Sequence, residues 1–243
     1  LLHAVHAAMD AEYPDAVDFA DSVNRFLNVF GLKQESEALV AKAQAAAGEA
    51  GSHAWFLAQS NRGEQLLNEG RVAEATEVFR AVLEKLGNAP SFERATTLAR
   101  LGRCFDAGGR PGLAAQHARD AIAILEQHEQ TDGVKRHRGV CLTDLADALM
   151  EQGQYAEARK AYEAGLKGAK ELGDLRGQGV TLGQLGTLAM LEGDLNEAAE
   201  RYRAALALFQ QLREPATEAG AWHQLGIVFR RAGQWDEAER HYR

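Results

Sequence analysis

The chain has 243 residues, 46% hydrophobic and 26% charged, with four prolines, two cysteines and a formal net charge of −8. That balance suits a helical protein able to bury a core. It argues against a general nucleic-acid binder, whose affinity comes largely from Lys and Arg displacing counterions, and no apolar run is long enough to span a membrane as a helix. Two cysteines are too few for a disulfide framework, which points to a reducing, cytoplasmic setting.

In chain order, residues 1–12 read as the end of a preceding helix. The start at Leu-Leu-His, and the stop at Arg243 part-way through a motif, read as a fragment of a longer protein. From there one sentence is rewritten: GQYAEARKAY from Gly153, GDLNEAAERY from Gly193 and GQWDEAERHY from Gly233. Marking the glycine gives Gly31, Gly70, Gly109, Gly153, Gly193 and Gly233, with steps of 39, 39, 44, 40 and 40. A fixed period in this range signals a repeat architecture. Six units follow, at about 14–50, 54–89, 91–130, 134–173, 175–213 and 215–243.

Apolar and small residues recur at helical spacing on both sides of each glycine, as with Leu182, Leu185, Gly186 and Ala189 before Gly193 and Leu195, Ala198, Tyr202 and Ala205 after it. Each unit is therefore predicted as helix, turn, helix. The glycine should end the first helix in the left-handed conformation, and Glu197, Asp236 and Glu237 fall in first turns, where carboxylates complement the helix dipole. Gly102, Ala146, Gly186 and Gly226 should let the second helix approach. Ala75, Ala114, Ala158, Ala198 and Ala238 stand opposite, and Phe79, Tyr162, Tyr202 and Tyr242 are expected to fill the gap toward the neighbouring unit. At Arg62 the leucine before the small residue is lost, and in the first unit Ser36 alone keeps the small-residue rule.

The last unit carries Trp222, Leu225-Gly226, Phe229, Ala238 and Tyr242, and the one before it Leu182, Leu185-Gly186, Ala198, Tyr202 and Ala205. This pattern resembles the tetratricopeptide repeats. The period of about forty and linkers such as AKELGDLRGQG, from Ala169 to Gly179, are similar to the long-repeat kinesin-light-chain group and to the repeat arms of bacterial signalling ATPases. The resemblance implies an all-α, right-handed superhelical solenoid of about six units forming a single domain over 1–243. It also implies first helices lining a concave groove that takes a peptide or partner protein.

Sites for chemistry are missing from the sequence. No phosphate-binding loop, dinucleotide glycine trio, His-Glu-x-x-His or nucleophile elbow occurs, and the eight histidines form no recognised metal spacing. Cys104 and Cys141 read as buried apolar thiols, and Lys135-Arg136-His137-Arg138 as a solvated helix start or loop. No enzyme activity, metal or cofactor is expected.

The predicted surface is more informative. The residue before the Leu-Gly pair runs Asn61, Arg100, Asp144, Gln184, Gln224, all planar hydrogen-bonding groups. Three residues on come Glu64, Arg103, Asp147, Thr187 and Ile227, and one residue earlier Ser60, Ala99, Thr143, Gly183 and His223. Such a ladder would grip an extended peptide, or merely keep a groove wet. The expected function is a non-enzymatic protein-interaction scaffold, with a regulatory arm of a larger signalling protein as the alternative. Trp235 and Tyr242, uncovered in the final unit, would permit end-to-end homo-association.

Overall fold

The computed structural model describes residues 1–11, 13 and 15–242, without the side chains at 25, 28 and 29. Residue 12, assigned above to a preceding helix, and residues 14 and 243, at limits of the first and last repeats, lie outside the described residues. Thirteen α-helices and no strands occur among the described residues. None of the helices is long and apolar enough to cross a membrane. Where the sequence suggests a single domain, the backbone divides into two compact units at Arg110 and Pro111, inside the third repeat.

The first unit holds α1 (Leu2–Asp10), α2 (Ala16–Val29), α3 (Lys33–Ala46), α4 (His53–Asn68), α5 (Val72–Leu86) and α6 (Phe92–Ala107). The second holds α7 (Pro111–Gln127), α8 (Asp132–Glu151), α9 (Tyr155–Glu171), α10 (Leu175–Glu192), α11 (Leu195–Leu212), α12 (Pro215–Arg231) and α13 (Trp235–Tyr242). Within each unit helices pack on their neighbours in sequence, and first helices also meet, α4 with α6 and α8 with α10. Nearest-neighbour packing of this kind is what a stacked helical repeat requires.

The turns explain the glycine period. All six marker glycines have positive φ, from 67° at Gly109 to 88° at Gly193. In every case the next residue donates its N–H to the carbonyl five residues before it. Leu32 bonds to Leu27, Arg71 to Leu66, Arg110 to Phe105, Gln154 to Leu149, Asp194 to Ala189 and Gln234 to Phe229, at 2.8–2.9 Å. This is the Schellman closure, which satisfies carbonyls left over at a helix end and needs a residue free of Cβ strain at the left-handed position. The linker after α9 repeats it through Gly173, whereas the linker after α11 uses Arg213, the one described non-glycine residue with positive φ, at 57°.

Packing corrects one expectation. The recurring aromatic ring lies inside its own hairpin, against the small residue of the first helix, rather than pointing toward the neighbouring unit. A Cβ at Gly186 would sit 3.1 Å from the ring of Tyr202, and the absent Cβ atoms of Gly63 and Gly226 likewise make room for Phe79 and Tyr242. The tyrosine hydroxyls also bond within the hairpin, Tyr202 with Thr187 at 2.8 Å and Tyr162 with Asp147. A side chain reaching back fifteen residues across a tight helix pair meets the partner helix of that pair first. Ala75, Ala114, Ala158, Ala198 and Ala238 are all buried, and the second-unit core runs continuously from Ala146 to Ala238 through Tyr162, Leu185, Tyr202 and Leu225. Arg62, in the slot filled elsewhere by Leu101, Leu185 and Leu225, is exposed.

Candidate functional site

The polar columns sit on first helices, and the structure shows what each member touches. In the first unit Asn61 is buried on α4, donating through Nδ2 to Asp21 Oδ1 at 3.0 Å and accepting at Oδ1 from Asn24 Nδ2 at 3.3 Å. Asn24 Oδ1 accepts from Ser36 Oγ at 2.6 Å. Glu64 Oε1, one turn further along α4, receives Arg100 Nε at 3.0 Å and Arg103 Nη1 at 3.1 Å from α6. Burial pulls the Arg100 guanidinium below its ordinary pKa, against the opposing attraction of Glu64.

In the second unit, Gln184 Nε2 on α10 donates to Asp147 Oδ1 on α8 at 2.8 Å. Thr143 donates to the Gly139 carbonyl and lies 3.5 Å from Thr181. Thr187 bonds to the Gly183 carbonyl and to Tyr202. Asp144 is half-buried on α8. On α12, His223 is exposed and Ile227 half-exposed, while Gln224, also half-exposed, makes no side-chain hydrogen bond among the described residues.

These contacts share one geometry. Asn24 to Asn61, Glu64 to Arg100 and Asp147 to Gln184 are bonds between first helices of successive repeats, 37, 36 and 37 residues apart. In the latter two, the residue three positions after the column meets the column residue of the next repeat. Asn61, Arg100 and Gln184 are therefore rungs joining neighbouring hairpins, and the column is open at Gln224. Sequence reading missed Asp21 and Asn24, which bond Asn61 directly, and took Ser36, which bonds Asn24, only as a small packing residue. The available signal was three polar residues, Asp21, Asn24 and Ser36, at positions that must be buried if α2 and α3 pack on α4.

Salt bridges also join successive repeats. Arg136 meets Asp174 at 3.6 Å, Arg176 meets Glu214 at 3.2 Å, and Arg159 pairs with Glu197 at 2.9 Å and with Glu192. The basic cluster is thus the first turns of α8, with Arg136 paired and Arg138 4.0 Å from Glu126. At the end of the second unit His241 stacks with Trp222, 5.1 Å away, and with Phe229, 5.0 Å away, and burial lowers its pKa. Trp235 is 67% exposed. Cys104 and Cys141 are buried free thiols, as the sequence suggests. Among the described residues no three His, Cys, Asp or Glu side chains are grouped to hold a metal ion.

The family model of the tetratricopeptide repeat matches residues 138–211 and 178–243. The two matches together mark residues 138–243 as similar to the tetratricopeptide repeat. No curated protein matches the chain. Solved structures share the fold of tetratricopeptide proteins with this one. BtubC (BKLC) from P. vanneervenii is 20% identical, with 93% of this chain and 88% of that one covered and a TM-score of 0.65. The kinesin light chain TPR-like repeats of Podosopora anserina are 22% identical, with 75% and 89% covered and a TM-score of 0.60. The Rap conjugation gene regulator of the plasmid pLS20, in complex with the Phr* peptide, is 15% identical, with 99% and 71% covered and a TM-score of 0.66. The tetratricopeptide hairpin accounts for the sequence features used above: the Leu-Gly pair, the aromatic lying on that glycine, and the capping turn.

Proposed function

We propose that this chain is a non-enzymatic interaction scaffold that binds a peptide or partner protein along the first helices of its repeats, with His223, Gln224 and Ile227 on α12 as the principal contacts. The observation that carries it is the contrast within one column. Asn61, Arg100 and Gln184 are held by the preceding repeat, whereas Gln224 keeps both its donor and its acceptor for an outside group. A planar amide at that place suits a peptide backbone, which offers one donor and one acceptor per residue. Ile227, three residues on along α12, adds apolar surface beside it. The peptide held by the Rap regulator of pLS20 shows that a fold of this kind can carry such a ligand.

Of the remaining column members, Glu64, Arg103, Asp147 and Thr143 act in this reading mainly by holding the first helices in register, and Thr187 by tying α10 to Tyr202 of α11. Screening the chain against an immobilised peptide array and repeating the screen with His223→Ala/Gln224→Ala tests it. Capture should fall at least about tenfold, equivalent to about 1.4 kcal/mol, with the melting temperature unchanged. Capture that survives the double substitution, or no capture by the unsubstituted chain, would remove the proposal.

A further inference from the structure

A cleft of about 200 Å3, lined mainly by residues with polar side chains, lies in the first unit, where the turn at Gly31 and helices α2, α3 and α4 meet. Its floor is formed by Asn24, Ser36 and Asn61, 4%, 5% and 7% exposed. The hydrogen bonds of the floor run one way, from Ser36 Oγ to Asn24 Oδ1, from Asn24 Nδ2 to Asn61 Oδ1, and from Asn61 Nδ2 to Asp21 Oδ1. The series ends on a carboxylate, so each amide donates inward. An amide oxygen has two lone pairs, and each of these uses one in the series, leaving capacity for a further donor.

The mouth carries Glu37, Glu69 and Gln65. Gln65 Nε2 is already engaged with Glu69 Oε1 at 2.8 Å, which leaves its carbonyl oxygen to the cleft. Hydrogen bonds from Gln65 and then Arg71 hold the Glu69 carboxyl below the usual carboxylate range, so it stays charged. The cation in the lining is Lys33, with a side chain 69% exposed and only a loose 3.9 Å pairing with Glu37. Among the described residues the lining thus offers oxygen acceptors and the carboxylates of Glu37 and Glu69, facing the easily displaced Lys33 ammonium, with Arg71 paired to the far oxygen of Glu69 at 3.1 Å. A cleft of this size takes the end of one side chain, since sites for drug-sized ligands run to about 300–1,000 Å3.

We propose that this cleft receives the ammonium or guanidinium end of a lysine or arginine side chain of a partner protein. The net charge of −8 favours encounter with such a partner over long range. The proposal rests on the reading of the chain as a partner-binding protein, but its test uses isolated residues, so its failure leaves peptide capture by α12 standing. Free polyamines share the cationic chemistry and form a separate arm.

The side-chain amide NMR signals of Asn24, Asn61 and Gln65 in the full chain report directly on the cleft. Titration with acetyl-arginine amide or acetyl-lysine amide should move them saturably, and acetyl-norleucine amide should not. Glu37→Gln/Glu69→Gln should weaken the response about fivefold, and Lys33→Gln should strengthen it, since one exposed charge pair contributes up to about 1 kcal/mol. Unchanged affinity in the double glutamine variant, equal shifts with norleucine, or no saturable shift with either cation would overturn the proposal. Tighter binding of spermidine than of both blocked residues would overturn the partner side chain as the source. Unaltered far-UV circular dichroism of each variant secures the comparison.

Discussion

Gln184 reaches back 37 residues to give Asp147 a 2.8 Å hydrogen bond, and Asp147 accepts at the same oxygen from Tyr162. One carboxylate thereby links the two helices of its own hairpin to the first helix of the next. Asp147→Ala should leave two donors without their acceptor and cost about 1–3 kcal/mol, against about 1 kcal/mol for Gln184→Ala. The double variant should cost less than the sum, because the two side chains share one interaction. Gln224→Ala, at the equivalent position one repeat later, should leave stability unchanged. Urea melts of the four variants measure all of this, and strict additivity of the first pair would contradict the rung.

Gly63 and Gly183 separate two roles of glycine within helices. A Cβ at Gly63 would enter the ring of the fully buried Phe79, while a Cβ at Gly183 meets nothing within 4 Å. Alanine is favoured over glycine in a helix by about 1 kcal/mol, and overpacking costs about 1–3 kcal/mol. Gly183→Ala should therefore stabilise the chain and Gly63→Ala destabilise it. Opposite shifts in melting temperature are the expected readout.

Arg213 holds the left-handed position that Gly173 fills in the preceding linker, with φ of 57° against 64°. The left-handed region costs a non-glycine residue about 1–2 kcal/mol, partly offset by the greater unfolded-state freedom of glycine. Arg213→Gly should raise stability by about 0.5–1 kcal/mol, visible as a higher urea midpoint.

The two thiols give a pH dependence. Burial pushes Cys104 up to about 11 and Cys141 up to about 12, from 9.0. At pH 8 both should resist iodoacetamide in the native chain and react once it is unfolded. Because the unfolded thiols release their protons first, their contribution to stability is complete below pH 9 and declines as pH rises from 9 toward 11 and 12. The decline in urea midpoint between pH 8.5 and 10.5 should be smaller in Cys141→Ala than in the unsubstituted chain.

The hairpins were legible before any coordinates because their causes are local. A glycine at the left-handed position and a bond closing over six residues depend on a few neighbours, and the small residue and the aromatic that lies on it belong to one helix pair. The use of the polar columns was not legible, since Gln184 and Gln224 occupy the same slot and read alike. One donates to Asp147 and the other has no such partner, Thr187 three residues after the Gln184 slot being engaged with Tyr202 instead. The direction of the aromatic rings and the burial of Asn24, Ser36 and Asn61 were likewise decided only in three dimensions. The amino-acid sequence by itself determined where each hairpin turns and which faces are apolar. Only the tertiary structure decided which polar groups meet, because residues some 37 apart are brought together by the offset between neighbouring hairpins, and that offset is set by packing over a whole core.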